Sequence, residues 1–258
     1  MGILQIIDPF YITLPGESFR RTPAPGQLCW VVSPHTYAIP KIMDVERADP
    51  QEHYATKFLI RDVSPNIDFK IKSRLPIKAL TLRDTEELLV QRAKIRPAII
   101  VGVGMTRFPD VATVLRQMGR EHLQYESIVT VPLFGIQTNE HPGGFPPIMV
   151  ARIRGLMYRQ FFFCPQAGSP LTIDSVGRLD RLQVVFHESS PGVKSPGYEP
   201  TQCALLSPDG LAVIMAMLRA QFGSPSEEYL ETVRSLAMET IPDSAKPRQE
   251  CGSPCFLT

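Results

Sequence analysis

Short apolar runs rich in β-branched residues set the strongest limit on how this chain can fold. Such runs lie at 27–32 (QLCWVV), 97–103 (PAIIVGV) and 127–136 (SIVTVPLFGI), and 178–187 (RLDRLQVVFH) indicates one more strand. They are too short for ordinary helices and have the composition of buried strands. The chain also contains 25 prolines, about twice the usual share of ~5%, and proline disfavours long helices because it lacks a backbone donor. A largely β fold with short elements is therefore predicted.

Helical patterns occupy fewer segments. Residues 110–123 (DVATVLRQMGREHL) begin with an N-cap acid and repeat apolar residues at helical spacing. In 206–222 (LSPDGLAVIMAMLRAQF), Ser207 suits the N-cap and is followed by proline, which suits the first helical position. A further helix is predicted from Ser224, because Ser224 to Glu227 matches a capping box.

The region between these patterns is interpreted as strands. IMVARIRG at 148–155 and LMYRQFFFC at 156–164 indicate two strands, or one strand bent at Gly155. Strand and helical patterns do not alternate regularly along the chain, which argues against a doubly wound parallel sheet. The predicted fold class is mainly β with helices (α+β).

The segment 33–92 has a mixed character. Residues 54–63 and 69–80 alternate loosely in the manner of strands, whereas 82–94 (LRDTEELLVQRAK) has helical spacing. We interpret 33–92 as an insertion within a single domain that spans 1–241. The polar, proline-rich segment 242–258 is expected to be a mobile tail.

Composition and charge exclude several classes of protein. Hydrophobic residues make up 43% and charged residues 21%, with a net charge of +1; this excludes a disordered chain and gives no whole-molecule attraction to nucleic acid. The five cysteines are scattered without a C-x-x-C pair, so we interpret them as apolar residues and not as disulfides. Asp8 and Pro9 interrupt the apolar start, so we expect no secretion signal, no membrane association and a cytoplasmic location.

No cofactor or metal is expected from the sequence. The five histidines are dispersed without a short metal-ligand spacing. Gly102 and Gly104 resemble the start of a dinucleotide-binding loop, but Arg107 stands where the third glycine is required. We interpret the two glycines as part of a strand that bends or approaches another backbone closely.

One candidate acid–base pair lies in the loop sequence NEHPGG. Glu140 and His141 are adjacent there, and loops on rigid strands often carry catalytic side chains. A solvated turn is the alternative interpretation.

A second candidate is a group of arginines. Arg152, Arg154 and Arg159 flank Gly155, and strand alternation would place Arg152 and Arg154 on one face. Together with Arg96 they would form a cationic surface for phosphates. The alternative is the solvated outer face of a sheet.

Five segments also follow one another in a familiar order: PGQLCWVV, RPAIIVGV, SIVTVPLFG, RLQVVF and LSPDGLAVIMAMLRAQF. In order and character they resemble the MazF/PemK family of small toxins, in short pieces within 25–32 and 96–222. The resemblance implies an SH3-like barrel. It also implies a sequence-selective single-strand endoribonuclease that works as a homodimer and is held inactive by an antitoxin peptide.

The resemblance assigns a role to Arg96, which opens the strand RPAIIVGV. It matches the family's active-site arginine, which would stabilise the negative charge that develops when a ribose 2′-hydroxyl attacks the neighbouring phosphate. This chemistry needs no metal, because the nucleophile belongs to the RNA and a guanidinium can hold the charged phosphorane oxygens.

The sequence departs from the family pattern at its other site positions. A Thr or Ser follows the family's VP strand, but Val131 and Pro132 are followed here by LFGI, with Thr138 a few residues further on. Gly177 and Arg178 stand in the slot of the family's Asp-Gln pair. The active-site pattern is therefore degenerate, and 33–92 is longer than the family's usual loop.

Two functions remain open from the sequence. In the first, the chain is a diverged toxin that cleaves single-stranded RNA through Arg96 with Thr138, Glu140 and His141, while Arg152, Arg154 and Arg159 bind the RNA. In the second, the barrel is catalytically silent and binds a protein partner in a stress or defence pathway.

Overall fold

The computed structural model describes residues 2–13, 23–47, 49, 51, 56–71, 80, 82–104, 110–120, 123, 126–139, 141–187 and 198–247. Every structural statement below concerns these residues. Their strands, in chain order, are β1 Tyr11–Thr13, β2 Gln27–Pro34, β3 Lys41–Arg47, β4 Thr56–Asp62, β5 Leu89–Val90, β6 Ala93–Gly104, β7 Glu126–Gly135, β8 Phe161–Cys164, β9 Ser175–Arg178, β10 Gln183–His187 and β11 Tyr198–Leu206. The helices are α1 Ala112–Gln117, α2 Pro147–Arg154, α3 Pro208–Gln221 and α4 Glu228–Thr240.

The chain divides into two compact units. The first unit is Met1–Val32 with Ile95–Thr258, and the second is Ser33–Lys94. The second unit covers the segment 33–92, interpreted above as an insertion, and the next two residues. The assignment of 1–241 to one domain with an insertion stays a prediction.

The first unit is built on one sheet with the strand order β1-β11-β2-β6-β7-β9-β8, and β10 pairs with the first half of β7. The strand pairs β1–β11, β2–β11, β6–β7, β7–β9, β8–β9 and β7–β10 are antiparallel. Among the described residues no pairing joins β1 to β8, so the sheet does not close into a barrel. The fold is therefore α+β with mainly antiparallel sheets, as the sequence predicts.

The apolar runs form the central strands. QLCWVV, PAIIVGV and SIVTVPLFGI lie in β2, β6 and β7, and each contributes fully buried residues to the core. The strand interpretation of the glycines is confirmed, because Gly102 and Gly104 lie within β6. The register of β6 against β7 shifts between Ile100 and Gly102, which is the kind of local irregularity that glycine accommodates.

Helix α3 is confirmed with its cap. The Ser207 side chain accepts a hydrogen bond from the backbone nitrogen of Gly210 at 3.3 Å, and Pro208 occupies the first helical position. Its buried residues include Val213, Ile214 and Met217, which join the main core together with residues of α4, β7 and β8.

Helix α1 begins at Ala112 with Val111 at the N-cap position, so the predicted N-cap acid, Asp110, does not cap it.

Three other local predictions are wrong. IMVARIRG lies in helix α2 and not in a strand, because two prolines start a helix at Pro147 and the buried Ile153 fits its apolar side. The segment LRDTEELLVQRAK contains strand β5 and no helix, since Leu89 and Val90 pair with β3 and tertiary pairing overrides local spacing.

The third concerns the start of α4. The helix begins at Glu228, and Glu227 occupies the N-cap position without a side-chain cap bond. The Glu227 carboxylate instead pairs with Arg219 at the end of α3, so the predicted capping box does not form.

The remaining segment predictions lie partly outside the described residues. Of the tail 242–258 the structure describes 242–247, where Asp243–Ala245 form a 3₁₀ turn and Ala245 is buried. Residues 72–79 and 248–258 lie outside the described residues.

The second unit contains the sheet β4-β3-β5. Arg61 donates to Asp68, at 2.6 and 2.9 Å, and also pairs with Asp44. The Asp68 side chain is fully buried, so its charge is compensated by Arg61 and by the backbone nitrogen of Ser64 at 2.6 Å.

Within the described ranges, none of the helices combines the length and the apolar character needed to cross a bilayer.

Candidate functional site

Arg96 lies near the start of β6 and its side chain is half-buried. In the pairing of β6 with β7, Ala98 is opposite Pro132, and the same register continued by two residues places Arg96 opposite Phe134. The guanidinium carbon lies 4.4 Å from the centre of the Phe134 ring, within the range of a cation–π contact. Among the described residues Arg96 has no carboxylate partner. Its positive charge is therefore available to a ligand.

A second arginine extends this surface. Arg178 in β9 is opposite Phe161 in β8, and its guanidinium carbon lies 5.1 Å from the Phe161 ring centre and 6.0 Å from that of Phe134. Unlike Arg96, it donates two hydrogen bonds to Asp180, at 2.5 and 2.7 Å. These bonds hold the pKa of the Asp180 carboxyl below its usual value. We call Arg96, Phe134, Arg178 and Phe161 the arginine–aromatic surface.

The predicted residues Thr138 and His141 are brought together in a tight turn. The His141 backbone nitrogen donates to the Thr138 carbonyl and hydroxyl oxygens, each at 3.1 Å. The Thr138 nitrogen returns a bond to the His141 carbonyl oxygen at 3.3 Å. Glu140 lies outside the described residues.

The structure does not bring Arg96 together with Thr138. A Cβ atom on Gly135 would lie 2.9 Å from the Thr138 methyl group, so Thr138 lies on the side of β7 toward which position 135 points. Side chains of consecutive strand residues point to opposite faces, and Arg96 contacts the side chain of Phe134. Arg96 and Thr138 therefore lie on opposite sides of this end of β7.

The three other predicted arginines do not share a face. Arg152 and Arg154 are two positions apart in α2, which separates them by about 200° around the helix axis, so the alternation argument is wrong. Arg152 donates to the Ala245 carbonyl oxygen at 3.0 Å. Arg159 is exposed after the helix.

Arg154 is engaged within the first unit. Its Nη2 donates to Asp174 Oδ2 at 3.0 Å, and its guanidinium carbon lies 4.7 Å from the Phe163 ring centre. Its Nε is buried without a partner in the described part of the chain. The side chain therefore holds α2 against the sheet and orients Asp174.

A pocket of about 830 Å³ opens on the Thr138 side of β7. Its apolar walls are Ile136, Pro142 and Ile173, and its polar lining residues are Gln137, Thr138, Asn139, Gln166, Thr172 and Asp174. The loop after β7 and the segment before β9 supply most of these side chains.

Sequence reasoning missed this pocket and most of the arginine–aromatic surface. Phe134 and Arg178 lie in LFGI at 133–136 and at 177–178, where the sequence departs from the toxin family that it resembles, and that departure was the available signal. Asp174 and Gln166 belong to no motif, because only the return of the chain to β9 places them beside the β7 loop.

The described residues contain no group of three or more His, Cys, Asp or Glu side chains arranged to hold a metal ion. Cys29 and Cys164 are buried free thiols, and burial raises the pKa of each to about 12. Neither thiol is thereby suited to act as a nucleophile near neutral pH.

Comparison of the chain with protein-family models, with curated proteins and with solved structures finds no match.

Proposed function

We propose that the protein is a diverged MazF/PemK-like endoribonuclease that binds single-stranded RNA on the arginine–aromatic surface and cleaves it without a metal. The observation that carries this proposal is the Arg96 guanidinium, which lies over Phe134 and has no carboxylate partner among the described residues. A guanidinium without a protein counter-ion is suited to bind a phosphate, because its N–H donors match phosphate oxygens.

The rings of Phe134 and Phe161 fit the same ligand class. Single-stranded nucleic acid binds proteins through basic groups that contact phosphates and through aromatic rings that contact bases. Arg178 is neutralised by Asp180, so it adds a planar, oriented group to the surface and little net charge. The surface therefore combines one available charge with flat contact area, which suits a short stretch of unpaired RNA.

In the proposed reaction the ribose 2′-oxygen attacks the adjacent phosphorus and the 5′-oxygen of the next nucleotide leaves. Arg96 would stabilise the phosphorane oxygens, whose charge rises in the transition state. Thr138 lies across β7 from Arg96, so proton transfer at the same phosphate is proposed for Glu140 and His141 and not for Thr138. Arg152 and Arg154 have partners within the protein, and the exposed Arg159 is the proposed further contact to RNA.

The SH3-like barrel is part of the proposal. Its support is a small apolar cluster formed by residues of β2, β6, β7 and β10: Cys29, Val31, Ala98, Ile100, Ile128 and Val185. Strand β10 also lies close to β11. The described strands do not close into a barrel, and the proposal is that these residues form the interior of a partly open one. A homodimer, a regulatory antitoxin and a cytoplasmic location are proposed on the family resemblance alone.

A second function is favoured by the position of Thr138. Its hydroxyl accepts a bond from the His141 nitrogen and it lies across β7 from Arg96, so the family's arginine–hydroxyl pair is not reproduced. Because this pair is missing, the alternative proposal is that the protein has no catalytic activity and binds a protein partner in a stress or defence pathway.

Incubation of the protein with a long single-stranded RNA in EDTA separates the two functions. The nuclease should produce discrete fragments, and Arg96→Ala should abolish them while the melting temperature stays within a few degrees of wild type. Arg120→Ala is the matched control, because Arg120 is an exposed arginine of the same unit. Intact RNA at high concentrations of wild-type protein would exclude the nuclease and favour the binding module.

A further inference from the structure

The pocket beside β7 has a chemistry that the arginine–aromatic surface lacks. Among the described residues its lining contains one carboxylate, three side-chain amides and two hydroxyls, and neither lysine nor arginine. Asp174 is paired with Arg154, so the described lining carries little net charge and offers no unpaired cation to a phosphate. Such a pocket favours a neutral ligand with several hydrogen-bond donors. We infer that this pocket binds a guanine base.

Asp174 is the anchor of the inference. Its Oδ2 accepts from Arg154 Nη2 at 3.0 Å and its Oδ1 accepts from the Gln166 backbone nitrogen at 2.9 Å. A carboxylate offers about four acceptor sites, so each oxygen has an acceptor site left. Because 40% of the side chain is exposed and Asp174 lines the pocket, a ligand in the pocket can reach this carboxylate.

Guanine presents the complementary edge. Its N1–H and N2–H₂ groups are adjacent donors and match the two carboxylate oxygens in the same bidentate manner as an arginine fork. Adenine, cytosine and uracil each present a donor beside an acceptor on this edge, which leaves one carboxylate oxygen facing an acceptor. The carboxylate therefore discriminates in favour of guanine.

The rest of the lining fits the same base. The Thr138 hydroxyl oxygen accepts from the His141 nitrogen, which leaves its hydrogen to donate to a carbonyl oxygen such as guanine O6. Ile136, Pro142 and Ile173 supply aliphatic contacts for the faces of a flat ring. Gly135 allows Ile173 and Thr138 to approach the strand, since a Cβ there would overlap both side chains.

The use of this pocket to select a sequence in RNA rests on the proposed function, whereas the binding of guanosine itself does not involve Arg96. The two sources of the base, a free nucleoside and a residue of RNA, share this recognition chemistry. A titration with guanosine and one with oligouridylate containing a single guanosine distinguish them.

The test is titration of the full chain with guanosine by calorimetry or ligand-observed NMR, with adenosine, cytidine and inorganic phosphate as competitors. Guanosine should bind saturably and about tenfold or more tightly than the other nucleosides, and phosphate should not compete. Asp174→Asn should weaken guanosine binding by roughly 10- to 100-fold, because it replaces one acceptor oxygen with a donor. Asp180→Asn is the matched control, since Asp180 is also a half-exposed carboxylate paired with an arginine but lies outside the pocket.

Thr138→Val provides a second variant that keeps the Arg154–Asp174 pair. It should weaken guanosine binding several-fold even where Asp174→Asn lowers the melting temperature. The inference is overturned if guanosine does not saturate, if the three nucleosides bind equally, if the two Asp→Asn variants lose the same affinity, or if Thr138→Val binds guanosine as wild type does. RNA cleavage without guanosine binding would overturn this inference alone, and guanosine binding without cleavage would overturn the proposed nuclease alone.

Discussion

Replacement of Gly135 by alanine probes how tightly the end of β7 packs against the pocket. The new Cβ would lie 2.9 Å from the Thr138 methyl group and closer still to the Ile173 terminal methyl group. The backbone of Gly135 is not in the left-handed region, so an alanine at this position is disfavoured by contacts with its neighbours and not by its own backbone conformation. The expected loss of stability is therefore a packing effect.

The size of the stability loss in Gly135→Ala follows from two opposing contributions. Overpacking of a well-packed site costs about 1–3 kcal/mol. Replacing glycine with alanine lowers the entropy of the unfolded chain and returns about 0.4–1 kcal/mol. Ile173 is 37% exposed, so its methyl group can move toward solvent, which places the overpacking cost near its lower limit. We expect Gly135→Ala to lower the free energy of unfolding by at most about 0.6 kcal/mol relative to wild type, and by about 1 kcal/mol relative to a glycine-to-alanine change that meets no neighbour.

Urea unfolding, followed by far-UV circular dichroism and by the fluorescence of Trp30, measures this change. Gly143→Ala is the matched control, because Gly143 lies in the loop after β7 without a left-handed backbone and a Cβ there would meet nothing within 4 Å. The control should be as stable as wild type or slightly more stable. The close packing of Thr138 and Ile173 over Gly135 is refuted if Gly135→Ala unfolds at the same or a higher urea concentration than Gly143→Ala while the free energy of unfolding of both variants depends equally steeply on urea.

Two further predictions concern titration. Arg178 lowers the pKa of Asp180, so that carboxylate stabilises the fold above the pKa of an unfolded aspartate, about 3.9, and this contribution is lost as the pH falls through the lower folded value. The difference in free energy of unfolding between wild type and Asp180→Asn should therefore be constant above about pH 5 and shrink below about pH 4. A difference that does not change with pH would contradict this. Burial raises the pKa of the Cys29 and Cys164 thiols to about 12. Iodoacetamide at pH 8 should therefore modify neither thiol in the native protein and both thiols in urea, as measured by peptide mass spectrometry. Rapid labelling of the native protein would contradict this, because it would show that the thiols are accessible.

The strands were predictable because their signal is local. The runs that contain Ile99 and Val131 are apolar on both faces, β-branched and bounded by turns, so burial and propensity indicate the same element. Helix α3 was predictable for a related reason, since the Ser207 cap and the apolar side are consistent with one another. Helix α2 was missed because its β-branched residues favour a strand. Its start depends on Pro147, which occupies the first helical position.

The candidate site was less predictable because it depends on contacts between distant segments. Arg96 was identified by its position at the head of a strand, but the ring that supports it lies 38 positions further along the chain. Asp174 was not identified, since its pairing with Arg154 requires α2 to be a helix that packs against the sheet. An error in one element thus removed both the arginine's partner and the pocket from the prediction.

The alternation of β7 decides what each side of this region can bind. Phe134 points toward two guanidinium groups, one of which lacks a counter-ion among the described residues, and that side is suited to a phosphate and a stacked base. Gly135 faces a pocket in which Asp174, paired with Arg154, is the one charged side chain among the described lining residues, and that side is suited to the donor edge of a base. A shift of register by one residue would exchange the two environments. If both proposals hold, specific contacts to a base and contacts to the RNA backbone are divided between the two faces of one strand end.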